Sequence, residues 1–250
     1  MKRRFLALIP TLLFLAAACT AGGNDCKGCK DVDVQIPWGA TDTHTYKLQR
    51  DGEDYGRTTL SIREDGARVV LTSLTTDDKG NSDESIVTAD KTTLKPISNV
   101  HTVIDETQKR VAQATYETGA EACDTKEVVK IEQLVFDPPG EATPDDTRSS
   151  PLCVPEHAYD NDSSLFLWRA VRFEKGYRVV YRTVLSNRRD TQILELTVHD
   201  KVTKTPLGDG EAWEVRVTGD QINQRAWFST DASHKMLAYQ NGGYLFLLDE

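Results

Sequence analysis

Thr191-Gln192-Ile193-Leu194-Glu195-Leu196-Thr197-Val198 decides the fold class. Gln192, Leu194, Leu196 and Val198 fall on one side of an extended chain, and Thr191, Ile193, Glu195 and Thr197 on the other. A repeat of two residues marks a half-buried strand, because successive side chains of a pleated chain point to opposite faces. Downstream, Trp213, Val215 and Val217 alternate against Glu214, Arg216 and Thr218. Arg225 to Ser229, Met236 to Gln240 and Tyr244 to Leu248 follow, the last pair joined through Asn241-Gly242-Gly243. Upstream, Tyr177 to Leu185 places Tyr177, Val179 and Tyr181 on one face.

The N-terminal part repeats the habit. Thr43 to Leu48 runs into Asp51-Gly52, a hairpin signal, and Tyr55 to Arg63 follows. Asp65-Gly66 turns the chain before Ala67 to Thr72, and Lys79-Gly80-Asn81 before Glu84 to Ala89. Leu94 to Val103, Gln108 to Glu117 and Glu127 to Phe136 complete this part. Nothing has the strand-helix-strand rhythm of a parallel sheet. About a dozen strands are expected, and an open sheet that large must curl or split. The expectation is therefore an all-β domain over residues 43–250: a large curved antiparallel sheet, or an incomplete barrel.

Two segments interrupt the pattern. Residues 137–162 hold five of the nine prolines (Pro138, Pro139, Pro144, Pro151 and Pro155) and read as a long surface loop. After it, Asp162, Ser163 or Ser164 can cap a short helix through Leu165-Phe166-Leu167-Trp168-Arg169-Ala170-Val171. Its apolar residues surround almost the whole circumference, so it is buried on most sides, with the sheet wrapped around it.

At the N-terminus, Lys2-Arg3-Arg4 precedes a 14-residue apolar stretch from Phe5 to Ala18. The stretch is too short to span a bilayer and matches a secretory signal over residues 1–18. No later run reaches the roughly 18 apolar residues a spanning helix needs. Leu15-Ala16-Ala17-Ala18-Cys19 resembles the bacterial lipobox. That resemblance implies a diacylglycerol on the Cys19 thiol, cleavage before it and acylation of the new amino terminus. More than one acyl chain is what stable attachment requires. The alternative is an ordinary signal cleaved after Ala16-Ala17-Ala18, with an unmodified cysteine. Residues 19–42 then read as a lipidated end and flexible tether, and the address as the extracytoplasmic face of a cell-envelope membrane.

Four cysteines remain. An even number in an exported chain favours disulfides, with three connectivities open. The preferred pairs are Cys123–Cys153, closing a loop of about 30 residues worth roughly 3–4 kcal/mol, and the local Cys26–Cys29. Cys26-Lys27-Gly28-Cys29 also has redox or metal spacing, but no helical pattern follows it and no second ligand pair exists.

The chain carries 39 acidic against 30 basic residues, a net charge of −9, and loss of the leader removes three cations and no acid. Such a balance argues against nucleic acid as a partner. His44, His101, His157, His199 and His234 are scattered and read as surface residues. Ser163-Ser164 and Ser149-Ser150 lack a nucleophile elbow, and there is no glycine-rich phosphate loop. The acidic pairs at Asp77-Asp78, Asp83-Glu84 and Asp145-Asp146 lack calcium-loop spacing. Asp160, Asp162 and Glu174 could serve a hydrolase acting on envelope polymers, yet nothing selects them, and Asp160-Asn161-Asp162 is more economically a helix cap. The expectation is no catalytic residue, no metal and no cofactor.

What remains is apolar. Phe166, Trp168, Tyr181, Trp213 and Trp227, with Phe228 and Tyr244, could line the concave side of the sheet and bind an acyl chain or other apolar group. They could equally fill the core around the short helix. The second reading is preferred, because the helix itself would plug such a groove.

Ala89-Asp90-Lys91-Thr92-Thr93-Leu94-Lys95-Pro96 and Trp227-Phe228-Ser229-Thr230-Asp231, running to Lys235-Met236-Leu237-Ala238-Tyr239, resemble motifs of uncharacterised bacterial envelope β-proteins. That group is similar in architecture to the lipoprotein-localisation factors, whose curved antiparallel sheet holds helices and carries lipoprotein acyl chains. The resemblance transfers no functional residue. Leader, sheet pattern and the lack of a catalytic motif together read as a lipid-anchored, non-catalytic protein that binds an apolar or lipidic ligand or another envelope component. A purely structural or protein-interaction role is the alternative.

Overall fold

The protein is described here by a computed structural model covering residues 26–118, 127–154 and 157–249. The signal and Cys19 lie outside the described residues.

The N-terminal strands are β1 (Thr41–Arg50), β2 (Glu53–Asp65), β3 (Arg68–Asp77), β4 (Ser82–Asp90), β5 (Pro96–Ile104), β6 (Lys109–Thr118), β7 (Glu127–Phe136) and β8 (Asp146–Val154). After β9 (Ala158–Asp160) and a 3-10 turn (Asn161–Ser163) comes one helix, α1 (Ser164–Arg169). The C-terminal strands are β10 (Arg178–Leu185), β11 (Asp190–Thr205), β12 (Gly208–Gly219), β13 (Ile222–Ser229), β14 (Met236–Asn241) and β15 (Tyr244–Asp249). Fifteen strands form one sheet in the order β8-β7-β6-β5-β4-β3-β2-β1-β15-β14-β13-β12-β11-β10-β9. The chain thus starts mid-sheet, meanders to one edge, and builds the other half back to β15, which pairs with β1. Every pairing is antiparallel except β9–β10. Asp51 and Gly52 take φ of 53° and 87°, the left-handed conformation a tight hairpin requires.

No ladder joins the edge strands β8 and β9. The seam is closed by side chains instead. Ala114, Val129, Ile131 and Val154 pack against Ala158 and Val184 across it. Gln133 Nε2 donates to the carbonyls of Ser186 (3.3 Å) and Asn187 (2.8 Å), and the Arg189 guanidinium bonds Ser150 Oγ. The result is the nearly closed barrel expected.

The register sorts the inner face into layers. Ile62, Leu71, Val87, Asn99, Ala114, Ile131 and Ser150 are cross-strand neighbours in one row. The next row runs His44, Leu60, Ser73, Ser85, His101, Ala112, Gln133 and Arg148. The one beyond runs Tyr46, Thr58, Thr75, Asp83, Val103, Arg110, Val135 and Asp146. Apolar residues dominate the first row and charge appears in the last two. Helix α1 fills the apolar end, with Phe166, Leu167 and Trp168 each no more than 4% exposed. Trp168 Nε1 donates to Tyr181 Oη at 2.8 Å, which satisfies both polar atoms inside the core.

Three expectations need correction. Residues 137–162 are not one loop, since β8 and β9 lie within them. Pro151 is tolerated because β8 is an edge strand, where one side of the backbone needs no ladder bond. Residues 19–42 are not a tether throughout. Cys29 forms a bridge to Val180 and Val34 to Val171, and Val32 and Trp38 are buried in the main core. The alternation Val32, Val34, Ile36, Trp38 explains this: its apolar side needs cover. The helix also ends at Arg169, short of Val171.

Candidate functional site

Two hollows lie on the inner face at the end away from α1. The larger, about 520 Å³, is lined by Asp83, His101, Val103, Arg110, Val111, Ala112, Gln133, Leu134, Val135, Asp146 and Arg148, with Asn187 and Arg188 from the β10–β11 turn. The smaller, about 360 Å³, is bounded by Leu48, Tyr55, Thr75, Asp77, Asn81, Ser82, Asp83, Val103, Ile104, Asp105, Arg110, Tyr244 and Phe246. Asp83, Val103 and Arg110 line both, so the two share a wall along one register row.

The register explains the convergence. His101 pairs with Ser85 and Ala112, both small, which leaves room for the ring on the inner side. Curling of the sheet brings Asp162, 61 residues away, to within 2.9 Å of His101 Nδ1. On the other side Nε2 lies 3.0 Å from Asp83 Oδ1 but is not aligned as a hydrogen bond, so this is a charge contact. Burial works to lower the His101 pKa; the two carboxylates outweigh it and push it up to about 10. His101 is 8% exposed, which corrects its reading as a surface residue.

Behind His101 sits a belt of buried polar groups. Asn99 Nδ2 reaches Asp162 Oδ2 (2.8 Å), Asp160 Oδ1 (3.1 Å) and Ser186 Oγ (3.3 Å). Tyr116 Oη donates to Asp160 Oδ2 at 2.5 Å, and Asp162 N caps onto Asp160 Oδ1 at 2.8 Å. Burial raises the Asp160 pKa, and the charge of Asp162 adds to it. Burial also works against an ionised Asp162, but the bonds from His101 and Asn99 prevail and its pKa is lowered. The pair therefore holds unequal affinities for a proton: Asp162 stays charged opposite the imidazolium. Neither acid is among the residues lining the hollows. Glu174 pairs with Arg172 on the surface and does not join them.

Of the apolar candidates, Tyr244 lines the smaller hollow and the others lie elsewhere. Phe166, Trp168 and Tyr181 are in the closed core. Trp213 packs at its margin, 6.2 Å from the Phe173 ring centroid, with Lys201 over its face. Trp227 is on the outer face, clustered with Ala212 and Ala238. None of the five lines either large hollow. Phe166 borders only a gap of about 10 Å³ beside Arg169. Cys26 and Cys29 are disulfide-bonded, and Cys153 is in a disulfide, while Cys123 lies outside the described residues. Sequence reasoning missed His101, Arg110, Gln133 and Arg148. Their period-two spacing marks an inner face, but which of them align depends on hairpin register.

No group of three or more His, Cys, Asp or Glu residues suited to a metal ion occurs among the described residues. No helix there is long and apolar enough to cross a membrane.

A search of curated proteins finds no match. Among solved structures, the fold is similar to the beta-barrel-like protein of domain of unknown function DUF1849 from Brucella abortus. The identity is 10% and the TM-score 0.37, over 87% of this chain and 98% of that one. A family profile described as "Protein of unknown function (DUF3108)" matches residues 35–240, from the packed N-terminal segment through β14. A match over that much of the sheet makes the chain a member of the DUF3108 family.

Proposed function

We propose that this protein is a lipid-anchored, non-catalytic binding module of the cell envelope, which holds an apolar or lipidic ligand in the open half of its curled sheet. One observation carries the reading: a hollow of about 520 Å³ on the inner face, within the roughly 300–1,000 Å³ typical of small-molecule sites. Its wall combines Val103, Val111, Ala112, Leu134 and Val135 with eight polar or charged residues, which suits a ligand that carries a polar group beside its apolar part. The anchor rests on Lys2 to Cys19, which supplies the charge, apolar length and cysteine of a lipoprotein leader. The membrane is then the first partner, through Cys19.

The position of Asp160 and Asp162, the acids that could have served a hydrolase, supports a binding role. Asp160 and Asp162 are spent on Tyr116, Asn99 and His101, away from the hollow's lining. A second reading, docking of another envelope protein, is favoured by Leu74, Ile86 and Val100. These are exposed on the outer face of the neighbouring strands β3, β4 and β5.

The test uses the unacylated mature chain from Cys19 onward, which contains every described residue. A fluorescent fatty-acid probe should bind saturably and be displaced by unlabelled fatty acid. Absence of saturable binding removes the ligand reading and leaves the docking one.

A further inference from the structure

The two hollows differ in which polar groups are already committed. Cations lining the larger one outnumber its carboxylates: Arg110, Arg148, Arg188 and His101 against Asp83 and Asp146. A guanidinium carries five N–H donors. Arg110 commits one to Asp105 at 3.3 Å, and Arg148 its Nε to Asp146 at 2.9 Å. Both side chains are more than half exposed, so these pairs are weakly held. Donors remain in a chain whose net charge is negative.

The smaller hollow is the reverse. Of its three carboxylates, Asp83 faces His101 in the shared wall, and the other two are saturated by their own turns. Asp77 accepts from Lys79 N, Asn81 N and Asn81 Nδ2. Asp105 accepts from Thr107 N, Thr107 Oγ1 and Gln108 N before Arg110 reaches it. What that hollow still offers is apolar and aromatic surface, from Leu48, Ile104, Tyr244 and Phe246. Val103 and Arg110 are adjacent in one register row and join the two.

We propose that the joined hollows take a single-chain anionic amphiphile, its carboxylate or phosphate head held by Arg110 and Arg148 and its chain running over Val103 toward Leu48 and Phe246. This rests on the ligand-binding reading above and assigns that ligand a charge and a direction. A carboxylate or phosphate presents paired oxygens that match the fork of a guanidinium, which gives the head end its selectivity.

Calorimetric titration of the unacylated mature chain with four probes of equal chain length separates the alternatives: dodecanoate, dodecyl phosphate, dodecanol and dodecyltrimethylammonium. The two anions should bind at least ~10-fold tighter than the alcohol and the cation, the size of one charge-assisted contact. In the double variant Arg110→Gln and Arg148→Gln, that preference should vanish while the thermal midpoint stays put, both residues being exposed. Tyr244→Glu, at the chain end, should weaken dodecanoate more than octanoate. Tighter binding of either anion supports the proposal and tells a fatty acid from a phosphate-headed lipid. Equal binding of dodecanol, or an anion preference surviving in the double variant, overturns the head-group assignment and leaves ligand binding standing. Failure of all four probes removes the binding reading itself.

Discussion

Replacing His101 by glutamine tests whether the buried belt is held by charge. The imidazole pKa rises from 6.5 to about 10 between two carboxylates. At about 1.4 kcal/mol per pKa unit, that rise corresponds to roughly 5 kcal/mol of preference for the charged form in the folded state. Asp83 is 57% exposed on its side chain, so solvent screens its share to about 0–1 kcal/mol. About 4 kcal/mol is left for the contact with Asp162 net of the burial penalty that opposes it, in line with the roughly 3–5 kcal/mol lost when one partner of a buried pair is removed. Glutamine can still donate to Asp162 but brings no charge. His101→Gln should therefore lose about 3–4 kcal/mol, or roughly 10 °C in midpoint for a chain of this length.

The pH dependence gives the sharper test. A folded-state pKa above the unfolded one means that the stabilisation is complete below the ordinary histidine value of 6.5 and disappears as pH climbs through about 10. Asp162, whose pKa is lowered, contributes above the ordinary carboxylate value of 3.8 and loses its share as pH falls further. Urea unfolding of both proteins at about pH 6, 8 and 10 should show a gap that is widest at the lowest and narrows to little at the highest. Asp83→Asn should cost no more than about 1 kcal/mol. Parallel curves for wild type and His101→Gln at all three pH values would falsify the charged-belt account.

Trp168→Ala should cost about 5 kcal/mol, combining the loss of a buried indole with an orphaned Tyr181 hydroxyl. Trp168→Phe, which removes only the N–H donor and part of the ring, should cost about 1–3 kcal/mol by the same denaturation assay. If alanine is tolerated with less than about 1 kcal/mol lost, α1 is not the plug described here. Gly56→Ala should destabilise the β2–β3 pairing, because a Cβ there would sit 2.1 Å from the Thr76 carbonyl oxygen. Amide exchange should then quicken in β3 near Thr76, and unchanged protection would contradict the close approach. Cys19→Ser should move the protein from the membrane to the soluble extracytoplasmic fraction. Mass spectrometry of the wild-type N-terminus should find acyl chains on Cys19, and a free thiol there would refute the anchor.

Alternation and turn residues made the sheet legible, because each strand states its own two faces locally. The limits of that reading were physical. β8 has few apolar residues and carries Pro151, since an edge strand covered on one side can be polar and lack an N–H. The segment at Val32 to Trp38 has clear alternation but joins the structure mainly through isolated bridges and packing, so composition made it look like a tether. The aromatic residues drew attention as a lining because they are large, yet size is what sent Trp168 and Tyr181 into the closed end.

The polar half of the inner face was harder to read for a reason specific to closure. His101 and Asp162 meet only because the sheet curls far enough to bring the 3-10 turn after β9 against β5. No window of sequence contains both. Once they meet, they divide the interior. On one side α1 and the Ile62–Leu71–Val87 row form a filled core. On the other the rows of His101 and Arg110 border open space. The belt of Asn99, Asp160 and Asp162 is where these two environments touch, and its many bonds offset most of the cost of charge stopping the apolar filling there, with Asn99 Oδ1 and His101 Nε2 left without a hydrogen bond. A ligand entering between the turns would therefore meet His101 as the floor of its site and never reach Trp168. The position of the belt, not the aromatic content of the core, sets how deep the hollow can be.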